Sequence, residues 1–192
     1  MQDKLIWTKK DALEKSFCEK VISKFEKDPN KYEGKVGFQR VDTKVKVSTD
    51  LAISKLDDWK EYDSVFFESL NSGLEEYKTY LKTINSKMLS NINLSDSGYQ
   101  IQKTIGGSGF YHWHHDYFFD LNMGSRFITF IWYLNDVIDC GETEFYSGDK
   151  IKPEQGKLLF FPATWNYVHR GVSPSKGLIK YICTGWLHAD QL

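Results

Sequence analysis

Hydrophobic positions recur at helical spacing near the start of the chain, where they alternate with lysines and glutamates over residues 8–28. This spacing places them on one face and predicts an amphipathic helix. Thr8, followed three residues later by Asp11, resembles a capping box and predicts the start of the helix; Asp28, before a proline, predicts its end. The apolar positions are Leu13, Phe17, Val21, Ile22 and Phe25.

A longer helix is predicted after Asp57 and Asp58, because a second apolar stripe continues at the same spacing. We expect the aromatic residues of this stripe to lie in the core. Its members are Trp59, Tyr62, Val65, Phe66, Leu70, Leu74, Tyr77, Leu81 and Ile84. Between the two helices, residues 35–48 alternate and are rich in valine, which predicts one or two strands. Residues 90–98 predict a loop that closes the helical part.

From about Gly98 onward the pattern changes to short strand-like runs, separated by glycine, aspartate, serine and proline. The runs occupy residues 99–105, 126–134, 142–146, 157–162, 166–171 and 180–188. Helices followed by many short strands favour an α+β fold with a double-stranded β-helix, or jelly-roll, core. We expect a single domain over residues 1–192, in which 1–97 give mainly helical support and 98–192 form the jelly-roll core.

The composition is that of a folded protein with a substantial core, since 41% of the 192 residues are hydrophobic and 16% are aromatic. A net charge of −1 argues against a dedicated nucleic-acid-binding protein. No apolar run reaches the roughly 20 residues of a membrane span, and the N-terminus lacks the apolar core of a signal peptide. We therefore expect a cytoplasmic protein. Its three cysteines, Cys18, Cys140 and Cys183, predict reduced, buried thiols.

Three of the five histidines lie in the stretch GFYHWHHDYFFD, residues 109–120. On a strand, alternate side chains share a face, so His112, His114 and Asp116 would point one way and His115 the other. An imidazole and a carboxylate two residues apart can bind one divalent ion. With His169 from a later strand, His114 and Asp116 would form a 2-His-1-carboxylate set, which leaves positions open on Fe(II).

A different ligand pair is also open at this level, because His112 and His114 form a His-x-His. That pair is typical of a cupin-like protein that binds a metal or small ligand without oxygenase activity. Cupins usually continue with a nearby glutamate ligand, and Glu142 and Glu144 lie too far along the chain to fit that spacing comfortably.

Residues 98–188 resemble the Fe(II)/2-oxoglutarate-dependent oxygenases, and specifically their prolyl 4-hydroxylase-like branch. GSGFYHWHHDYF resembles the family's Tyr-x-x-His-x-Asp segment, and RFITFIWYLNDVIDCGETEFY resembles its Arg-x-x-Thr strand and the turn that follows. IKPEQGKLLFFP resembles the approach to the last metal ligand, and HRGVSPSKGLIKYICTGWLH resembles the distal histidine block. The joint order of these blocks makes the resemblance specific.

The resemblance implies that His114, Asp116 and His169 are the metal ligands and the catalytic centre. It implies Fe(II), 2-oxoglutarate as cosubstrate and dioxygen, with ascorbate supporting turnover. The implied reaction is hydroxylation, in a peptide or protein and most often at a prolyl residue, with release of succinate and CO2. Arginines that usually follow the distal histidine in the nucleic-acid demethylase branch are replaced here by Lys180 and Trp186, which argues against a nucleic-acid substrate.

The resemblance also implies which residues bind 2-oxoglutarate. Lys180 would pair with the far (C5) carboxylate, Tyr111 and Thr129 would hydrogen-bond the same group, and Trp186 would form part of the pocket wall. Lys180 lies 11 residues after His169, one more than the family's usual spacing. Lys176 therefore remains an alternative partner for the carboxylate.

Overall fold

The computed structural model describes residues 3–89 and 92–189. Helix α1 spans Lys15–Lys27 and helix α2 spans Lys60–Ile84. Short 3-10 turns occupy Gly37–Gln39, Ile53–Lys55 and Asp57–Trp59. No helix within the described ranges is long and apolar enough to cross a bilayer.

The strands begin with four short segments around the helices: β1 Trp7–Lys9, β2 Tyr32–Glu33, β3 Lys46–Val47 and β4 Thr49–Ala52. The remaining strands follow α2: β5 Leu94–Asp96, β6 Gln100–Ile105, β7 Phe110–His114, β8 Phe119–Asp120, β9 Gly124–Tyr133, β10 Thr143–Phe145, β11 Lys150–Ile151, β12 Leu158–Pro162, β13 His169–Gly171 and β14 Ile179–Ala189. Each of the six strand-like runs in the second half overlaps one of these strands, so those predictions are confirmed.

Antiparallel pairing assembles the strands into two sheets. Within the described ranges, the larger has the order β1-β12-β9-β14-β6-β4-β2, with β5 beside β14 and β8 beside β9. The smaller has the order β11-β10-β13-β7-β3. Two facing antiparallel sheets, with the helices packed outside the larger one, confirm the predicted α+β jelly roll.

The sequence of strand β9 is strongly apolar because both faces of the strand are buried. Alternate residues of a strand face opposite sides of a sheet. Phe130 and Trp132 face the helices, where Trp132 packs on Phe66 of α2 with ring centroids 5.2 Å apart. Ile131 and Tyr133 belong to a second cluster, between the sheets. Because both faces of β9 are covered, its sequence is a nearly continuous hydrophobic run.

Helix α2 lies close against the larger sheet at Gly73. A Cβ added there would come within 2.5 Å of the Leu158 side chain on β12, so any residue larger than glycine would require the helix or this side chain to shift. The buried positions of α2 are Phe66, Leu70, Gly73, Leu74, Tyr77 and Leu81. The predicted second helix is confirmed, and so is most of its apolar face; Val65 and Ile84, which were expected on that face, are exposed.

The first helix begins later than the sequence predicts. Thr8 lies in β1, opposite Leu159 of β12, so its backbone is extended and the predicted capping box is wrong. The predicted end is confirmed: α1 stops at Lys27, and the Asp28 carboxylate accepts a hydrogen bond from the indole of Trp59 at 2.7 Å. Two further predictions hold only in part. Of residues 35–48 only β3 is a strand, and β5 interrupts the loop expected over residues 90–98.

Candidate active site

A bulge in β7 selects which side chains of the histidine cluster point inward. His114 lies opposite His169, and Tyr111 lies opposite Gly171, so two residues of β7, His112 and Trp113, lie opposite the single residue Arg170 of β13. The extra residue turns Tyr111 and His114 to the same side. Their rings stack with centroids 3.5 Å apart. His112 is exposed, so the expectation that it shares the face of His114 is wrong.

Asp116 lies two residues beyond the end of β7 and is buried. Its two carboxylate oxygens each lie 3.6 Å from an imidazole Nε2, Oδ1 from that of His114 and Oδ2 from that of His169. The Thr129 hydroxyl donates to Oδ2 at 2.7 Å and fixes the plane of the carboxylate. The structure thus brings together the three residues that the sequence predicts as metal ligands.

Both imidazoles are oriented by the backbone. Nδ1 of His114 lies 2.7 Å from the carbonyl oxygen of His112, and Nδ1 of His169 lies 3.0 Å from that of Tyr167. A carbonyl only accepts, so each Nδ1 carries the proton and each Nε2 keeps its lone pair. Such bonds to the remote ring nitrogen are typical of metal-ligating histidines.

The protonation states also suit a cation. Burial, together with the neighbouring His169, lowers the pKa of His114 to about 3, so this ring is neutral at physiological pH. Burial opposes ionisation of Asp116, but His169, His114 and the Thr129 hydroxyl together hold its pKa below the usual range. The site therefore offers one carboxylate and the neutral imidazole of His114, beside the imidazole of His169.

This donor set fits a first-row divalent metal. One ligand atom from each of His114, Asp116 and His169 lies within 4.8 Å of the others, close enough to share one ion. Two imidazoles and one carboxylate match the facial ligand set of non-haem Fe(II) sites. Such a set occupies one side of the ion and leaves the other side for exogenous ligands.

A cavity between the sheets opens beside the three ligands. Alternation along β14 brings Lys180, Ile182, Thr184 and Trp186 into its wall, because every second side chain faces the smaller sheet. Tyr111 and Thr129, which the sequence also predicts, line the same cavity. Its remaining lining residues are Gln102, Thr104, Ile131, Thr143 and Gly171. The sequence did not lead us to predict the polar lining residues Gln102, Thr104 and Thr143, although alternation along their strands could have indicated them.

Lys180 is the buried cation of the cavity. Its Nζ donates to the carbonyl oxygen of Gly141 at 2.8 Å and to that of Val172 at 3.2 Å. Burial lowers its pKa to about 8, partly opposed by Glu142. Both of these partners are neutral carbonyls, and no carboxylate of residues 3–89 or 92–189 lies within hydrogen-bond distance, so a third N–H is available. Lys176 is exposed on the turn before β14 and is not among the lining residues.

Arg126 contacts Trp186, and the sequence did not predict Arg126 as a residue of the site. The Arg126 guanidinium stacks on its ring, 3.4 Å from the centroid, and donates to the backbone carbonyl of Asp116 at 3.5 Å. Burial lowers the pKa of Arg126. The Thr129 hydroxyl is directed to Asp116, and its predicted contact with a cosubstrate stays a prediction.

The other histidines lie outside the cluster. His115 is exposed, and His188 is buried with Nδ1 3.2 Å from the carbonyl oxygen of Gly124. His112 is not in the set of converging ligand atoms, so the alternative His112–His114 pair is not formed. Glu144 pairs with Arg170 at 2.5 Å instead of reaching the site.

Comparison with solved structures identifies the fold. The chain is similar to the viral collagen prolyl hydroxylase of Paramecium Bursaria Chlorella virus-1 in complex with 2OG, with 18% identity, a TM-score of 0.66 and 97% of both chains covered. It is similar to a Trichoplax adhaerens prolyl hydroxylase in complex with a hypoxia inducible factor peptide fragment, with 16% identity, a TM-score of 0.73, and 96% and 84% covered. A Pseudomonas putida prolyl-4-hydroxylase gives 15% identity, a TM-score of 0.57, and 97% and 94% covered.

The family comparison concerns the half of the chain that carries the site. No curated protein matches the chain. The model of the 2OG-Fe(II) oxygenase superfamily matches residues 99–188, which include β6–β14 almost completely and all three converging ligands. Residues 99–188 thus match the 2OG-Fe(II) oxygenase superfamily, and the chain has the fold of the prolyl hydroxylases, which together support a 2-oxoglutarate- and Fe(II)-dependent dioxygenase.

Proposed function

We propose that the protein hydroxylates a prolyl residue in a peptide or protein, with conversion of 2-oxoglutarate to succinate and CO2. The observation that carries the proposal is the convergence of His114, Asp116 and His169 beside a cavity that contains one buried cation. A bound Fe(II) with 2-oxoglutarate supplies the activation of dioxygen for such a hydroxylation. Ascorbate belongs to the same proposal, as a reductant that supports turnover.

The protein's part in this chemistry is to hold and orient the reactants. His114, Asp116 and His169 would hold Fe(II), with Thr129 and the carbonyls of His112 and Tyr167 fixing the three ligands. Lys180 would hold the far carboxylate of 2-oxoglutarate, which places both ends of a dianion against fixed positive charge. Asp116 and His169 are buried, which limits the access of bulk water to them.

A peptide substrate is supported by the surface beside the ligands. Trp113, Tyr117 and Phe119 are 39%, 48% and 48% exposed, and they lie within five residues of His114. Exposed aromatic side chains beside a cavity are typical of interaction surfaces, and aromatic rings suit extended proline-containing peptides. Two of the similar structures are also described as a collagen prolyl hydroxylase and as a prolyl hydroxylase bound to a peptide fragment.

Mass spectrometry on peptide libraries tests this proposal. Incubation with Fe(II), 2-oxoglutarate and ascorbate is expected to add one oxygen atom to proline-containing peptides. The same peptides with alanine in place of proline should stay unmodified, as should reactions without 2-oxoglutarate. Hydroxylation of non-prolyl residues alone would contradict the assigned substrate and leave the dioxygenase chemistry standing.

The charge of Asp116 should matter more than its shape. Asp116→Asn keeps the size of the side chain and one acceptor oxygen, but it removes the anionic ligand. We expect Mn(II), a redox-silent substitute for Fe(II), to bind at least about tenfold more weakly, because hard divalent ions favour carboxylate oxygens. Titration followed by electron paramagnetic resonance measures this. Wild-type affinity in this variant would exclude the carboxylate as a ligand.

The cytoplasmic location expected from the sequence is part of the same proposal. Cys18, Cys140 and Cys183 are all free thiols, which supports a reducing compartment. Cys140 is exposed, contrary to the expectation that all three are buried.

A further inference from the structure

A second buried charge lies near the candidate active site, outside the residues already given a role. Lys46 Nζ and Asp50 Oδ2 are 2.6 Å apart, and their side chains are 3% and 0% exposed. The Asp50 carboxylate also accepts the Ser48 hydroxyl and the Gln100 amide, both at 2.7 Å. Desolvating two charges is costly, and such a pair is often no more stabilising than apolar residues of similar volume. Stability alone therefore does not explain why this ion pair is present.

The ion pair spans the point where the chain passes from one sheet to the other. Lys46 lies on β3 in the smaller sheet, and Asp50 lies on β4 in the larger one. Asp50 is opposite Gln102 of β6, which lines the cavity. The pair thus ties the two sheets together at one side of the cavity.

Lys46 also contacts a wall of the cavity directly. It is opposite Tyr111 in the pairing of β3 with β7, and its Nζ lies 5.2 Å from the centroid of the Tyr111 ring. A buried ammonium at this distance from an aromatic face makes a favourable cation–π contact. The same ring stacks on His114 at 3.5 Å with an interplanar angle of 14°.

We propose that Lys46 is a positioning residue for Tyr111. Asp50, Ser48 and Gln100 fix the ammonium, and the ammonium fixes the ring of Tyr111 in the cavity wall, where its hydroxyl can bind 2-oxoglutarate. Lys46 itself is not among the lining residues, so it acts through Tyr111 and not on the cosubstrate. This inference rests on the proposed function, because it assumes that 2-oxoglutarate occupies this cavity.

The test neutralises the pair without leaving a lone buried charge. Lys46→Met with Asp50→Asn removes both charges at similar volume, a change that buried pairs commonly tolerate. The readout is the dissociation constant of 2-oxoglutarate from Mn(II)-loaded protein, measured by calorimetry. We expect about tenfold weaker binding, the size of a desolvated cation–π contact. Mn(II) affinity and the far-ultraviolet circular dichroism spectrum should stay as in the wild type.

Tyr111→Phe supplies the background that separates positioning from simple stabilisation. If Lys46 acts through the Tyr111 hydroxyl, neutralising the pair in Tyr111→Phe protein should cost less than about twofold, because coupled residues give non-additive effects. Equal losses in both backgrounds would overturn the inference.

Failure of the proposed function would look different. Wild-type Mn(II)-loaded protein that binds no 2-oxoglutarate would overturn the cosubstrate site and the positioning role together. If wild-type protein binds 2-oxoglutarate but the losses in the variants are additive, only the positioning role is overturned.

Discussion

Replacing His114 or His169 by alanine is expected to abolish metal binding in a protein that remains folded. Each imidazole supplies one of three converging ligands, and neither ring hydrogen-bonds another side chain through Nδ1; both Nδ1 atoms contact backbone carbonyls. Loss of one ligand leaves a bidentate site, which we expect to weaken Mn(II) binding by more than about 100-fold, beyond what loss of an outer-shell partner costs. Metal content and titration by electron paramagnetic resonance measure the effect.

His115→Ala is the matched control. This imidazole is adjacent to His114 but exposed, so its removal should leave the affinity for Mn(II) unchanged. Circular dichroism of all three variants separates loss of the ligand from loss of the fold. Undiminished metal content in His114→Ala or His169→Ala would show that the three residues do not form the metal site.

Removing the Lys180 ammonium is expected to weaken 2-oxoglutarate binding strongly while metal affinity stays the same. Lys180 is 4% exposed, and its Nζ meets two backbone carbonyls but no carboxylate within hydrogen-bond distance among the described residues. A cosubstrate carboxylate would complete its coordination. Lys180→Met should raise the KM for 2-oxoglutarate by about 100-fold, which corresponds to ~3 kcal/mol for breaking a buried charge pair. Steady-state turnover at varied 2-oxoglutarate measures the change.

Lys176→Met is the control for this assignment. Lys176 lies on an exposed turn four residues before Lys180, so its removal should leave the KM for 2-oxoglutarate within about twofold of wild type, as for surface charges generally. A larger loss in Lys176→Met than in Lys180→Met would show that the distal block is aligned wrongly and that Lys180 has another role.

The sequence predicts the fold where the apolar pattern has a single interpretation. The long stripe of α2 and the runs that become β9, β12 and β14 are regular over many residues, and the structure confirms them. The start of α1 was mispredicted because the capping signal of Thr8 and Asp11 is local, whereas pairing of β1 with β12 is a tertiary interaction. Long-range strand pairing outweighs a local preference that is worth about 1 kcal/mol.

The convergence of His114, Asp116 and His169 could be predicted because the motif that the chain resembles fixes their types and order. Their geometry could not be predicted from simple alternation: a bulge in β7 turns His112 to solvent, and Asp116 lies past the end of the strand. Alternation holds along β14, which is regular where it lines the cavity, and it places Lys180 and Trp186 on one face. Local irregularity in a strand leaves no clear signal in one sequence.

Contacts between distant segments were the least predictable part of the site. The stack of Arg126 on Trp186 joins β9 to β14, and the Lys46–Asp50 pair joins the two sheets. Nothing in the sequence marks Lys46 or Asp50 as buried, since charged side chains are usually exposed. Only the folded chain shows that both are buried beside Tyr111.

The most direct test of the account is the conversion of 2-oxoglutarate to succinate by the purified protein with Fe(II), ascorbate and dioxygen, followed by nuclear magnetic resonance. We predict succinate formation that depends on Fe(II), increases with a hydroxylatable proline peptide, and disappears in His169→Ala. Wild-type protein that binds metal and 2-oxoglutarate but forms no succinate with or without peptide would contradict the central claim and indicate a binding protein without oxygenase activity.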